Sequence, residues 1–335
     1  MSCNVTCQDN IAARCQNQTN PVFVAVYSVV CTTGIILNFM ALVVFFCCTK
    51  SRSYTMVYMT NLAIADLLLV CTLPLRIYFH LGFQGLSQKT CEVAGLILLA
   101  NMYGSILLLT CVSLDRCLAV CFPVSSRVRE GRKKAPLVCL GIWMLTIGAS
   151  LPLYINSQGD NLGNQSNCFR SFPKYALKPA PLASSLTVGF VIPLIIMVLC
   201  SWGLVRAVSQ STAAQMSGLL DSWKIQRMVS INLAIFLCCF LPYHVMLVVI
   251  YSYSYDIPSI PCSVISAYYY SLMVTCLNAI LDPLAYYFTT ETFRKNIEID
   301  GVRRMLPMNN LSSDGIFRSR PLASASRINI PFGWK

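Results

Sequence analysis

The sequence predicts an all-α protein in which seven helices cross a membrane as a bundle. Hydrophobic residues make up 56% of the 335 positions and charged residues 11%, whereas a soluble domain averages about 25% charged residues. Seven apolar runs are each long enough to cross a bilayer, which takes about 20 helical residues. The runs lie near residues 22–48, 55–81, 92–121, 135–156, 181–207, 227–252 and 263–288.

Prolines interrupt five of these runs and are still compatible with helices that cross a membrane. A carbonyl freed by proline can find a donor on a neighbouring helix, so transmembrane helices tolerate proline. We therefore expect each run to remain one span. The prolines are Pro74, Pro152, Pro193, Pro242 and Pro283.

The Lys and Arg residues predict how the spans are oriented. Of the 25 basic residues, 19 fall on one side of the predicted spans and 6 on the other, and the more basic side of a membrane protein is the cytoplasmic one. Seven spans then place the N-terminus outside the cell. Three glycosylation sequons, at Asn4, Asn17 and Asn164, fall on the same outer side. The net charge of +12 belongs to the loops and the tail, which argues against a nucleic-acid-binding patch.

Most of the 18 cysteines lie inside apolar runs, where we expect small buried hydrophobic side chains. Cys91 opens span three and Cys168 lies in the loop between spans four and five. Both are on the predicted outer side, where an oxidising environment permits a disulfide. Cys262 opens span seven, and we expect it to pair with Cys15. The alternative is that these four cysteines are free thiols.

A few polar residues lie within the spans, where they are costly and often functional. Some repeat at a spacing of four residues, which places them on one helix face. Gathered in a bundle, these amide, hydroxyl and carboxylate oxygens suit sodium better than calcium. A water-filled network that packs the helices and a proton relay in a transporter are the alternatives. The predicted sodium ligands are Asp66, Asn101, Ser105, Asn278 and Asp282.

Short motifs stand at fixed positions along the spans. They are Gly34–Asn38 in span one, Asn61–Asp66 in span two, Leu114–Cys117 in span three, Trp143 in span four, the residues Phe236, Cys239, Phe240 and Pro242 in span six, Asp282–Tyr286 in span seven, and Phe293–Lys295 after it. In this order and spacing, they resemble the motifs of rhodopsin-like G-protein-coupled receptors. The resemblance covers about residues 22–299.

Several positions depart from that family's pattern. Cys117 stands where the Asp-Arg-Tyr motif has its tyrosine, and Asp282 stands where the Asn-Pro-x-x-Tyr motif has its asparagine. Ser201 replaces a tyrosine in span five, and Ser222 stands where a glutamate is expected at the foot of span six. We therefore expect the inactive-state lock on Arg116 to be weak or to use other partners.

The resemblance implies a receptor of the plasma membrane that carries a signal inward and is not an enzyme. A ligand outside favours one of two helix packings, spans five and six then move outward on the cytoplasmic side, and Arg116 is freed from Asp115. A heterotrimeric G protein binds in the opened cleft, and arrestin and receptor kinases act on the tail. No cofactor is implied apart from the allosteric sodium ion. The implied switch residues are Asp115, Arg116, Phe236, Phe240, Pro242, Asp282, Pro283 and Tyr286.

Four regions follow from the spans and the resemblance. Residues 1–21 form the extracellular N-terminus and residues 22–289 the receptor domain, which is surrounded by membrane lipid. Residues 290–299 form a short amphipathic helix on the membrane surface. Residues 300–335 form a disordered cytoplasmic tail.

The ligand prediction begins with two exclusions. Leu98 stands where receptors for amines carry an aspartate, and Cys276 stands where opsins carry the lysine that binds retinal. Three stretches, Asn101–Ser105, Pro242–His244 and Tyr286–Thr289, resemble the purinergic-receptor-like group, which includes the lysophosphatidic acid receptors.

Arg76, near the outer end of span two, favours an anionic ligand, because an arginine within an apolar run needs a negative partner. An internal pair with Glu92 is the alternative for Arg76, and solvated surface is the alternative for the loop lysines. Residues 245–270 contain no Lys or Arg, which disfavours a triphosphate. The predicted ligand is therefore an anionic lysophospholipid such as lysophosphatidic acid. The predicted ligand-binding residues are Arg76, Phe79, Tyr103, Arg170, Lys174, His244 and Tyr268.

Two other functions remain open. One is a receptor for a nucleotide or another small organic anion. The more remote one is a polytopic transporter, although the inverted repeats of broken helices that mark many transporters are not visible in the sequence.

Overall fold

The computed structural model describes residues 15, 19–48, 53–159, 168–169, 174–210, 216–255 and 257–289. Every regular element in these ranges is a helix. Several predicted features lie outside the described residues: the three sequons, Arg170, the amphipathic helix, the tail, and the side chains of Lys174 and Tyr286.

The seven predicted spans are present as helices, which confirms the bundle. Six of them are long and apolar enough to cross a membrane, and span four has a shorter apolar part, Ala135–Ser150. An additional eight-residue helix, Ser126–Lys133, lies between spans three and four. The spans are Pro21–Val43 with a π-helical turn Val44–Cys48, Tyr54–His80, Gln88–Cys121, Ala135–Gly159, Pro179–Leu186 continued through Thr187–Val191 and Ile192–Gln210, Met216–Ser252, and Cys262–Thr275 continued by Asn278–Thr289.

Both predicted disulfides are formed. Cys15 is bonded to Cys262, and Cys91 is bonded to Cys168. They lie at the same end of the bundle, which we call the disulfide end. The other end, where Arg116 lies in the last turns of span three, is the Arg116 end. The expectation that cysteines within the spans are buried is only partly correct, because Cys47, Cys71 and Cys238 are exposed on the outside of the bundle.

Polar side chains begin several of the helices. Asn20, Ser53, Ser87 and Ser125 each precede a helix and accept a hydrogen bond from a backbone N–H in its first turn. Such caps satisfy donors that have no partner within the helix. The caps explain why these four helices begin where they do, and two of them, at Pro21 and Tyr54, begin one residue before their predicted apolar runs.

Span one supplies donors to two carbonyls that prolines have freed. Pro283 has no N–H for the Ala279 carbonyl four residues earlier, and the Asn38 side-chain Nδ2 donates to that carbonyl at 2.7 Å. Pro74 likewise frees the carbonyl of Val70, and the Cys31 thiol donates to it at 3.6 Å. Span one is therefore hydrogen-bonded to spans two and seven at their proline bends.

The close approach of span one depends on a glycine. A Cβ atom added to Gly34 would lie 2.8 Å from Cγ1 of Val70, which is shorter than a van der Waals contact. Gly34 stands one turn before Asn38, whose Nδ2 also donates to the Gly34 carbonyl at 3.0 Å. The Gly34–Asn38 motif thus lets spans one and two approach closely at Gly34 and supplies a hydrogen-bond donor to span seven at Asn38.

Spans five and seven each contain an irregular turn before their proline. In span five, the Ile192 N–H donates to the Thr187 carbonyl five residues earlier, which makes one π-helical turn just before Pro193. In span seven, Cys276 and Leu277 donate to carbonyls three residues earlier and form a tighter turn. These local changes in helical period redirect the side chains that follow.

We expect Asn38→Ala to lower the stability of the folded receptor by about 1–2 kcal/mol, because the Ala279 carbonyl loses its donor inside the bundle. Thermal unfolding in detergent measures the effect. The control is Thr32→Ala, whose hydroxyl bonds only to carbonyls of its own helix. In a Pro283→Ala background, the Ala279 carbonyl regains a donor from its own helix, so Asn38→Ala should cost less than half as much. An equal cost in both backgrounds would contradict this role of Asn38.

Candidate functional site

Arg76 is buried near the disulfide end of span two, with 7% of its surface exposed. Its guanidinium lies over the ring of Phe169, 4.5 Å from the centroid, and it also interacts with the hydroxyl of Tyr27. Its Nε atom has no hydrogen-bond partner in the part of the chain that the structure describes. Among the described residues, the arginine is therefore held by an aromatic face and a phenol, and not by a carboxylate.

The pair between Arg76 and Glu92 that the sequence left open is not formed. The single ion pair among the described residues joins Asp115 to Arg132, at the opposite end of the bundle. Glu92 accepts a hydrogen bond from the Gln88 side chain at 3.0 Å instead. The positive charge of Arg76 thus has no described carboxylate beside it.

Phe169 is a residue that the sequence reasoning missed. It follows the disulfide-bonded Cys168, and its φ of 56° is a left-handed conformation, which is rare for a bulky residue. Its ring packs edge-on against Phe79, with 5.6 Å between centroids, in a cluster with Cys91, Cys168 and Leu86. The one available signal in the sequence was its position directly after the loop cysteine.

Three of the predicted ligand-binding residues, Tyr103, His244 and Tyr268, meet in an aromatic cluster. His244 is edge-on to Tyr103, with 6.0 Å between centroids, and to Tyr243, with 5.2 Å. Tyr243 in turn lies 6.0 Å from Tyr268. The structure therefore brings together two groups: Arg76 with Phe79 through Phe169, and these three residues through Tyr243.

His244 is the polar member of the second group, and it is 2% exposed. Its Nδ1 lies 2.8 Å from the Phe240 carbonyl, and its ring stacks on Phe190 with 4.5 Å between centroids. Its Nε2 has no partner among the described residues. If Nδ1 carries the proton for the Phe240 carbonyl, Nε2 is a buried acceptor that a ligand hydroxyl or a water could satisfy.

The predicted sodium ligands lie in the middle of the bundle, and all of them are buried. Oδ1 of Asp66 accepts from the Nδ2 atoms of Asn101 at 3.0 Å and of Asn278 at 3.4 Å. Asp282 is close enough to Asp66 for their charges to interact. Among the described residues, Asp66 Oδ2, Ser105 Oγ, Asn278 Oδ1 and both Asp282 carboxylate oxygens have no hydrogen-bond partner.

These unpartnered oxygens are the ligand type that a sodium ion prefers. Buried polar atoms are almost always paired with protein or water, so this chamber is suited to hold water or a cation. No group of three or more His, Cys, Asp or Glu side chains in the described part of the chain is arranged to hold a metal ion. The unpartnered atoms are carboxylate, hydroxyl and amide oxygens, a set that suits a hard cation better than a transition metal.

The predicted switch residues of span six form an aromatic stack. Phe236 and Phe240 are both fully buried and pack edge-on, with 5.9 Å between centroids. Phe236 also stacks on Phe190 of span five at 5.1 Å. Span six runs as one helix through Pro242. A rotation of the half of span six nearer the Arg116 end would therefore have to disturb this stack.

The hydrogen-bond partners of Asp115 among the described residues are Arg132 and Thr55 and do not include Arg116, although the charges of Asp115 and Arg116 still interact. Oδ1 of Asp115 accepts from Nε of Arg132 at 2.6 Å, and its Oδ2 accepts from Nη2 of Arg132 at 3.1 Å and from the Thr55 hydroxyl. The short helix Ser126–Lys133 places Arg132 beside Asp115, although 17 residues separate the two in the sequence. The bond to Asp115 also raises the pKa of the Arg132 guanidinium.

A family model described as "7 transmembrane receptor (rhodopsin family)" matches residues 37–286. The chain belongs to the rhodopsin family of seven-transmembrane receptors. Members of this family are signalling receptors, and the several spans make this one a multi-pass membrane protein. The resemblance stated from the motifs is thereby confirmed.

Three relatives show where in the rhodopsin family the chain lies. Lysophosphatidic acid receptor 6 of Homo sapiens is 35% identical over 283 residues, which covers 82% of each chain. Cysteinyl leukotriene receptor 1 of Homo sapiens is 31% identical over 88% of each chain. A purinoceptor of Meleagris gallopavo is 31% identical over 81% of this chain and 85% of the relative.

We expect Gly189→Ala to disturb the aromatic cluster, because the added Cβ would lie 2.6 Å from Cε1 of Tyr103. Tyr103 would have to move away from Ser185, whose hydroxyl lies 2.6 Å from that of Tyr103. Overpacking of this kind costs about 1–3 kcal/mol, measurable as a lower unfolding temperature. Gly95→Ala is the control, since nothing lies within 4 Å of its added Cβ. Equal unfolding temperatures for the two variants would contradict the packing of Tyr103 on Gly189.

Proposed function

We propose that this receptor binds an extracellular anionic lysophospholipid, such as lysophosphatidic acid, and activates a heterotrimeric G protein at the plasma membrane. The disulfide end then faces the outside, as the distribution of Lys and Arg predicts. The observation that carries the ligand class is Arg76, a buried cation near the disulfide end without a described carboxylate beside it.

A buried and uncompensated charge is costly unless a partner arrives. The planar guanidinium has donors along its edge and an apolar face above and below. Phe169 covers one face of the Arg76 guanidinium, so an anion would approach the edge of the guanidinium. There it could accept two parallel N–H hydrogen bonds, as phosphates and carboxylates do. The site therefore suits one anionic headgroup that lies in the plane of the guanidinium.

The surroundings of this single anion site favour a lipid. Residues 245–270 of spans six and seven contain no Lys or Arg, so no cluster of cations is available there for a polyphosphate. The aromatic cluster around Tyr103, His244 and Tyr268 offers an apolar surface for an acyl chain, and the Nε2 of His244 offers an acceptor for a glycerol hydroxyl. Lysophosphatidic acid carries one phosphate, one hydroxyl and one acyl chain. These match the guanidinium of Arg76, the Nε2 of His244 and the aromatic cluster, respectively.

The names of the relatives support an anionic lipid as the ligand class, and they leave a nucleotide as the alternative. Two of the three relatives are named for lipids that carry acid groups, lysophosphatidic acid and cysteinyl leukotriene. The third is named as a purinoceptor, so a nucleotide remains the second candidate. A nucleotide carries its charge in adjoining phosphates, and Arg76 alone would neutralise only a small part of it.

At the Arg116 end, the loop after span three supports the G-protein proposal. Phe122 and Val124 are exposed by 56% and 94%, and the helix that follows carries Arg127 and Arg129 on its surface. An apolar projection flanked by cations is suited to a partner that inserts an apolar helix face with acidic neighbours. The actions of arrestin and receptor kinases on the serines of the tail remain further proposals.

Replacing Arg76 tests the ligand class. We expect Arg76→Ala to raise the half-maximal concentration of oleoyl lysophosphatidic acid about 10- to 150-fold, because a charged hydrogen bond contributes about 1.5–3 kcal/mol. Arg76→Lys should restore the response only partly, since lysine lacks the planar fork. G-protein activation in cells is measured with a panel of lysophospholipids, leukotrienes and nucleotides.

The control is Lys89→Ala, which removes an exposed positive charge from the same end of the bundle. We expect less than a threefold effect. An Arg76→Ala variant that reaches the cell surface and responds like the wild type would rule out Arg76 as the anion anchor. A response of the wild type to nucleotides alone would support the second candidate instead.

We also propose that a sodium ion binds beside Asp66 and stabilises the inactive packing. The unpartnered oxygens of Asp66, Ser105 and Asp282 support it. At ten times its dissociation constant, sodium should stabilise the purified receptor by about 1.4 kcal/mol, seen as a higher unfolding temperature in sodium chloride than in choline chloride. Asp66→Asn should abolish the difference, and Glu130→Gln, an exposed acid of the short helix, should keep it. A difference that survives Asp66→Asn would exclude this site.

A further inference from the structure

Three free thiols meet towards the Arg116 end, where spans three and five pack against each other. The sulfur atoms of Cys117 and Cys121 are 3.8 Å apart, and the Cys117 thiol also interacts with the Cys200 thiol of span five. Cys117 is the residue that stands where the Asp-Arg-Tyr motif has its tyrosine. This departure from the family pattern therefore places a thiol, and not a phenol, beside span five.

The backbone of span five comes close to the Cys117 sulfur at a glycine. A Cβ atom added to Gly203, three residues after Cys200, would lie 3.7 Å from Sγ of Cys117. Cys200 is buried and Cys117 is half-buried. Both pack in a small cluster that also contains Leu204 of span five and Val229 of span six. The thiols therefore lie where spans three, five and six meet.

Of its two neighbours, Cys200 is the better disulfide partner for Cys117. A disulfide needs about 3.5–4.5 Å between the two Cβ atoms, whereas residues four apart on a helix have Cβ atoms about 5–6 Å apart. A bridge between Cys117 and Cys121 would therefore distort the helix of span three. A bridge to Cys200 needs only a small shift between two separate helices.

We propose that Cys117 and Cys200 are a redox modification site, at which a hydroperoxide such as hydrogen peroxide joins them in a reversible disulfide that holds the receptor inactive. The inference rests on the proposed function, in which a G protein binds at the Arg116 end after spans five and six move outward. A disulfide keeps its two Cα atoms within about 6.8 Å of each other. Span five is then tied to span three at this point, and the cleft for the G protein stays closed.

The chemistry needs one peroxide molecule and two thiols. The sulfur of Cys117, the more accessible of the two, attacks a peroxide oxygen; the O–O bond breaks, one water leaves, and Cys117 becomes a sulfenic acid. The Cys200 sulfur then attacks the Cys117 sulfur, the S–O bond breaks, and the hydroxyl leaves with the Cys200 thiol proton as a second water. The two sulfurs together lose the two electrons that reduce the peroxide. A cytoplasmic dithiol such as thioredoxin returns these electrons and restores both thiols.

Peptide mapping without reductant tests the bond itself, on the purified receptor after treatment with hydrogen peroxide. Tryptic residues 117–127 carry both Cys117 and Cys121, and residues 175–206 carry Cys200 as their single cysteine. We expect these two peptides to be linked in the wild type and in Cys121→Ala, and to be separate in Cys117→Ala. Unlinked peptides in the wild type, an internal bridge within residues 117–127, or a link that Cys117→Ala keeps would each overturn the proposal.

The second measurement is the initial rate at which the receptor, with oleoyl lysophosphatidic acid, catalyses nucleotide exchange on a purified G protein. The peroxide is destroyed with catalase before the G protein is added. We expect the treatment to lower the rate at least fivefold in the wild type and in the matched control Cys121→Ala, and less than twofold in Cys200→Ala. Thioredoxin with its reductase should restore the rate, and unoxidised receptor treated in the same way is the reference.

Two results would contradict the inhibitory role of the bond. One is a linked pair of peptides with an unchanged rate of nucleotide exchange, and the other is an equal loss of rate in Cys200→Ala and the wild type. A wild type that activates no G protein before oxidation would refute the proposed function instead. The peptide map would still decide whether Cys117 and Cys200 form the disulfide.

Discussion

A backbone carbonyl that has lost its donor inside a lipid-embedded bundle must find another, and Pro74 and Pro283 are two of the prolines that create such carbonyls. Span one supplies a donor to both carbonyls. The side-chain amide of Asn38 donates to the Ala279 carbonyl, and the Cys31 thiol donates to the Val70 carbonyl. Because Gly34 lets the backbones approach, spans one, two and seven form one connected unit. The polar chamber around Asp66 is built on this unit, since Asp66 belongs to span two and both Asn278 and Asp282 to span seven.

The same constraint applies to charged side chains, and the chain resolves it differently at its two ends. At the Arg116 end, Asp115 receives three donors from Arg132 and Thr55. At the disulfide end, Arg76 receives an aromatic face and a phenol, and no described carboxylate. The first arrangement is complete within the protein and suits a structural role. The second has no anion among the described residues, and it is for this reason that we propose Arg76 as the residue that binds an anionic ligand.

The sequence predicted the spans and both disulfides because these depend on features that can be counted along the chain. The length of an apolar run has to match the bilayer, and a cysteine outside the runs has few possible partners. It also predicted that Asp66, Asn101 and Asn278 would meet, because polar residues within apolar spans are costly in lipid and gather inside the bundle. It did not predict the partner of Asp115, because that required the path of the loop between residues 121 and 126, nor the placement of Phe169 over Arg76, which depends on a left-handed backbone at one position.

The amino-acid sequence by itself determined that this protein is a seven-helix membrane receptor with an arginine and a set of carboxylates at membrane depth. Burial in lipid makes such residues costly, so their presence alone carries information. The tertiary structure decided which of these charges are neutralised within the chain. A hydrogen bond depends on the positions of two groups that can be far apart in sequence, as Asp115 and Arg132 are, and only the packing of the helices fixes those positions.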